Sequence, residues 1–159
     1  MKELKFRAFH KPSNKMFDVA RICFFDEKIS SLEALFNEPP WNDLVEHCFS
    51  ECELMQFTGL KDSTQFQELT KEEQENWLKS NKQEDWRGKD IFEGDILSFN
   101  FSEYYPNPDY SKPVYVVELF RDVFPCARGI HENMYAHWHS LPFTKILGNI
   151  HQNSELLEK

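Results

Sequence analysis

Four residues near the C-terminus come closest to a recognisable chemistry. His137 and His139 are two apart, a spacing that puts both on one face of a strand, and His131 or Glu132 can approach from the turn before them. Three such groups hold a zinc ion when they converge. The two-residue spacing is common by chance, however, and the cysteines stand far away in sequence, so aromatic-flanked histidines on a strand or loop are the simpler reading. Cys48 and Cys52 are four apart and share the apolar stripe of an expected helix, where they read as core thiols. Neither the CxxC spacing of a redox pair nor a second ligand pair accompanies them. Glu93 and Asp95 flank Gly94, and turn geometry explains them better than a catalytic dyad, which requires convergence in a cleft. The chain has no GxGxxG, Walker loop, HExxH or GxSxG, and its serines lack a recognisable base. These residues predict a protein that is not an enzyme and that uses no metal or cofactor.

Composition bounds the elements that must position such groups. A chain of 159 residues can form one core or two small lobes, and with 40% hydrophobic residues and 15 Phe it has the material for a core. The net charge of −9 sets up a field that repels phosphate backbones. Residues 1–21 carry six Lys/Arg against two acids, whereas residues 22–55 carry one Lys against eight acids. Such asymmetry can steer a partner or a second copy of the chain, although charges that simply solvate outward strand positions are the plainer account. The four cysteines, the lack of a basic-then-apolar leader and the absence of an apolar run near the ~20 residues of a membrane span predict a cytoplasmic protein with reduced thiols.

Along the chain, Leu4, Phe6 and Ala8 alternate with Lys5 and Arg7 as a half-buried strand, and Lys11-Pro12-Ser13-Asn14 supplies a turn. Met16 to Phe25 returns as a second strand, in which a phase slip near Ala20-Arg21 predicts a bulge. A short strand within 29–36 follows. Trp41, Leu44, Val45, Cys48, Phe49 and Cys52 have the spacing of a helical stripe, so a helix is expected after Pro39-Pro40. Residues 53–58 read as a strand ended by Gly59. Within the polar insert at 63–86, Thr70 with Glu73 forms a capping-box pattern that predicts a short exposed helix anchored by Trp77 and Leu78. Glycine turns at Gly88, Gly94 (with Asp95) and Gly148, further strands at 91–92, 96–101, 114–120, 125–130, 135–139 and 146–150, and a final helical turn to Leu157 complete a mainly β pattern typical of a small barrel or sandwich.

The runs KFRAF (5–9), KMFDV (15–19), MQFTGLKD (55–62), GKDIFEGDI (88–96) and ILGNIHQNSELL (146–157) together resemble the YopX-like family of small phage and prophage proteins. That resemblance implies a β-rich protein with an SH3-like C-terminal barrel and a phage or integrated-element origin, and no biochemical activity, because the family is functionally uncharacterised. The expected organisation is a hairpin and helix over 1–53 followed by the barrel over 54–159. The insert at 63–86 stands where the family has a short turn, a length increase that costs little loop entropy.

The sequence thus predicts a non-enzymatic interaction module of mainly β (α+β) class that binds a host or phage protein or itself. Trp77 in the insert and Tyr104, Tyr105 and Tyr110 in a Pro-rich loop are the expected contacts, since loops on a rigid scaffold carry binding. The alternative is a nucleic-acid-associated barrel using its tyrosines with Arg121 and Arg128, against which the net charge weighs.

Overall fold

A computed structural model describes residues 4–35, 44–99, 114–120, 124–129, 135–136 and 144–158. The chain divides into two units, Met1–Phe57 and Thr58–Lys159. The N-terminal unit contains β1 (Phe6–His10), β2 (Lys15–Phe25), β3 (Lys28–Leu35), β4 (Leu44–Cys48) and the first part of β5 (Cys52–Lys61), antiparallel in the order β4-β3-β2-β1-β5. Central β1 places Ala8 opposite Phe17 on one side and Leu54 on the other. With no side chain beyond Cβ, Ala8 disappears completely beneath a cluster that includes Leu32 and Cys52 and is flanked by Phe17, Val19, Ile22 and Leu54.

The register of β2 against β3 shifts between Val19 and Arg21, as the phase slip predicts, and again between Cys23 and Phe24. The extra residue lets Val19 and Ile22, which simple alternation would put on opposite faces, pack into one cluster. The helix predicted over the Trp41–Cys52 stripe is overturned across its described part, residues 44–52. Residues 44–48 form β4, paired with β3 from Ser31↔Cys48 to Leu35↔Leu44, and Phe49–Glu51 make a single 3-10 turn into β5. An isolated helix of this length is marginal, and the edge of β3 offers a full ladder instead. The two thiols consequently part: Cys52 is buried and Cys48 exposed, and the cysteines form no disulfide with one another.

The C-terminal unit holds the rest of β5, β6 (Asp90–Phe92), β7 (Asp95–Phe99), β8 (Val114–Phe120), β9 (Phe124–Gly129), β10 (Tyr135–Ala136) and β11 (Thr144–Asn149). Five of these form an antiparallel sheet in the order β10-β9-β8-β7-β11, and among the described residues no pairing closes it into a barrel. Ile91, Leu97, Tyr115, Val117 and Ala127 form its core, with Leu60 and Ile146 packed against them. The class is therefore mainly β, with antiparallel sheets and one α-helix among the described residues, α1 (Lys71–Leu78). That helix is too short and polar to cross a membrane.

The turn between β2 and β3 is built by Asp26 and Glu27, with φ of 49° and 61°. Two successive positive φ values are the requirement of a type I′ hairpin turn, which Asn-Gly meets with least strain. Replacing the pair by Asn-Gly (D26N/E27G) is expected to raise stability by about 0.5–1 kcal/mol, since the substituted residues no longer resist the left-handed region. Urea denaturation of the variant beside the parent checks this.

Candidate interaction surface

The insert is built outward from one carboxylate. Asp62, buried at the end of β5, accepts hydrogen bonds from the amide (3.0 Å) and hydroxyl (2.6 Å) of Thr64, from the Lys89 amide (2.8 Å) and from the Ile146 amide (3.3 Å). Its own amide donates to the Lys89 carbonyl at 2.9 Å. Both ends of the insert and the last strand thus meet at one side chain, which satisfies amides that would otherwise be buried unpaired. Gly88 lies against the same residue with φ +99°, and a Cβ there would stand 1.9 Å from the Asp62 carbonyl oxygen.

Within the insert, Thr70 caps α1 as expected: its hydroxyl accepts from the Glu73 amide at 3.2 Å and Glu73 accepts from the Thr70 amide at 2.8 Å. The helix is then pinned by Glu73 to Lys89 at 2.8 Å, while Glu68 in the preceding turn pairs with Lys145 on β11. The lysine partner, with a backbone amide second, holds each carboxyl below the usual range. The anchors differ from those expected. Leu78 is half exposed, and Trp77 packs on Trp86, ring centroids 5.0 Å apart and edge to face, with Phe66 on the same ring at 6.3 Å. Each indole finds a carbonyl: Trp86 Nε1 donates to Thr64 at 2.8 Å and Trp77 Nε1 to Lys82 at 3.0 Å. Between the two ends of the insert lies an open groove of about 400 Å³ lined by Gln65, Phe66, Gln67, Gln83, Glu84 and Trp86.

The remaining glycine motifs are also local architecture. Gly94 has φ 76°, and Asp95 beside it, 1% exposed, accepts from the Phe92 amide at 2.9 Å. Gly59 does not end its strand, contrary to expectation: with φ 84° it lies within β5, while Gly148 lies within β11, inside the expected last strand, beside a register shift after Ile146. A Cβ at Gly148 would stand 2.2 Å from Asn153 Oδ1 and would displace that side chain, which accepts from the Asn149 amide and so ties the C-terminal turn to β11. Tyr104, Tyr105, Tyr110, His131, His137 and His139 lie outside the described residues. Among the described residues no cluster of three or more His, Cys, Asp or Glu is placed to hold a metal ion.

The structure also brings together groups that spacing along the chain does not join. His10 Nδ1 is 2.7 Å from Ser13 Oγ, its Nε2 is 3.7 Å from Glu51, and its ring meets that of His47, centroids 4.5 Å apart. Ser13 is exposed in the β1–β2 turn, so this trio lacks the water-excluding walls that nucleophilic chemistry uses. Cys52 opposite His10 has its thiol pushed up by burial first and by the Glu51 carboxylate next, which makes it a poor nucleophile.

Two antiparallel units and a helical insert hung on a buried aspartate define a mainly β protein whose GLKD, GKDIFEGD and GNIHQN runs each close a turn or bind a strand. The sequence pattern of the family described as "YopX protein" matches residues 5–68 and 64–158, and the chain belongs to that family. The matched stretches overlap at 64–68, where the insert begins. No curated protein matches the chain. Among solved structures it is similar in fold to protein EF1440 from Enterococcus faecalis, 20% identical, with a TM-score of 0.58 over 99% of this chain and 100% of that one.

Removing the Asp62 carboxylate strands several buried donors at about 1–3 kcal/mol each. Asp62→Ala is therefore expected to lower stability by about 3 kcal/mol or more, and Gly88→Ala by at least ~2 kcal/mol because both its φ and its space exclude a Cβ; chemical denaturation midpoints measure both. Glu68 and Glu73 have folded pKa values below the ordinary 4.5, so their contribution is fully present above that pH and lost as pH falls through the depressed values. Both are over a third exposed, which keeps the effect small. Indole fluorescence from the insert is expected to change as pH falls below 4.5, ahead of the far-ultraviolet circular dichroism, and less so in Glu73→Gln.

Proposed function

We propose that this chain is a non-enzymatic interaction module of phage type, acting in the host cytoplasm, in which an SH3-like C-terminal unit presents the 63–86 insert to a host or phage protein. The observation that carries this reading is the construction of the insert. It is not a slack loop: a capped helix, an aromatic trio and ion pairs to Lys89 and Lys145 hold an open groove in place. A rigid surface added to a family scaffold is what binding selects, because ordering entropy is already met before the partner arrives. Three glutamines and a glutamate along the groove supply donors and acceptors suited to a polypeptide backbone. The −9 net charge supports a protein partner over nucleic acid.

The test compares the full chain with a variant whose residues 65–85 are replaced by a short Gly-Ser turn. Proteins retained from host lysate are identified, purified and titrated against both chains. The expected result is at least one purified protein that binds the parent and binds the variant ten-fold or more weakly. Equal affinity for both chains would remove the insert from the function, and lack of any binding partner would overturn the module reading.

A further inference from the structure

The histidine contact in the N-terminal unit is built from five elements. His10 comes from β1, Phe17 from β2, His47 from β4, Glu51 from the 3-10 turn and Cys52 from β5. The His47 ring lies between the other two, 4.7 Å from Phe17 and nearly parallel to it at 24°, and 4.5 Å from His10 at 49°. The two imidazoles are not equivalent. His10 has Ser13 Oγ at hydrogen-bond distance from Nδ1 and the Glu51 carboxylate 3.7 Å from Nε2, so its charged form would have one acceptor and a counter-charge close by. His47 Nε2 is shielded from solvent and has no hydrogen-bond partner among the described residues.

We propose that the His10–His47 contact is an acid-sensitive latch on β4, closed while His47 is neutral and opened when both rings are protonated. A neutral His47 leaves Nε2 as a bare acceptor, a modest loss, whereas a charged one must bury an N–H with no acceptor and face a second cation 4.5 Å away. Phe17 can offset part of this through its ring face, but it cannot accept the N–H in the ring plane. The other groups around the pair do not supply the missing acceptor. Glu51 lies at His10, Glu53 pairs with Lys11 at 2.7 Å, Glu46 accepts from Ser31, Cys48 lies at Ser50, and Cys52 is opposite His10. Burial first and the His10 charge second hold His47 below its ordinary value of 6.5, with Glu51 opposing. The sign follows: the unfolded chain takes up the proton first, so the contribution of the latch is present above pH 6.5 and declines as pH falls below it. What opens is the outer strand of the unit's sheet, β4, whose acidic and thiol side chains Glu46 and Cys48 already face solvent.

The experiment is a pH titration of the full chain from 7.5 to 5.0 by imidazole NMR, with amide exchange of β4 followed at each pH and corrected for intrinsic rates. His47 is expected to titrate below 6.5, and β4 protection to fall ten-fold or more across that titration while β8 and β9 stay unchanged. In His47→Phe, which keeps a ring on Phe17 but takes no proton, the fall should disappear. In His10→Gln, the His47 titration should move up toward 6.5. Unchanged β4 protection through the His47 titration overturns the latch, as does an equal acid loss in His47→Phe. Should that variant fail to fold, an unmoved His47 titration in His10→Gln overturns it equally.

Discussion

The C-terminal unit depends on the buried carboxylate of Asp62. A charge out of water is tolerable only when hydrogen bonds replace its hydration, and here amides from three separate stretches of chain do so, at Thr64, Lys89 and Ile146. The exchange works in both directions, because those amides are themselves without ladder partners where the chain leaves β5, enters β6 and runs along β11. One side chain therefore sets where the insert begins, where it ends and how the last strand is registered. The absence of a Cβ at Gly88 follows from the same closeness, since the chain must pass against the Asp62 carbonyl.

Electrostatics in the N-terminal unit have a similar local logic. The cationic first segment and the acidic second one look, in the linear chain, like a dipole waiting for a partner. In the fold part of that asymmetry is satisfied internally, by Lys11 with Glu53 at 2.7 Å and Arg21 with Glu33 at 3.0 Å. Arg7 faces Asp18 across β1 and β2 and Arg21 faces Glu33 across β2 and β3, pairings that favour the observed register, whereas β3 and β4 set Glu33 opposite Glu46. The Lys11–Glu53 pair is exposed on both sides and contributes little to stability by itself, so its value is in specificity of pairing.

Much of the architecture was legible from local pattern. The hairpin of β1 and β2, the bulge after Val19, the capped helix at Thr70 and the turn at Gly94 and Asp95 are each set by interactions within a few residues, and the chain shows them directly. The stripe from Trp41 to Cys52 misled because a strand, a 3-10 turn and another strand reproduce helical spacing when the chain reverses at Phe49. Gly59 misled because a glycine with positive φ can stand within a strand as well as at its end, and the sequence does not distinguish the two.

By itself the sequence determined the mainly β class, the family, the place of the insert and the capped helix within it, because periodicity, turn chemistry and capping act over short stretches of chain. Tertiary structure alone decided that β4 is a strand, that Trp86 rather than Leu78 anchors the insert, that Asp62 gathers three segments, and that the His10 and His47 rings meet. Those outcomes join residues tens of positions apart, and no local preference encodes which of many possible distant partners a side chain will meet.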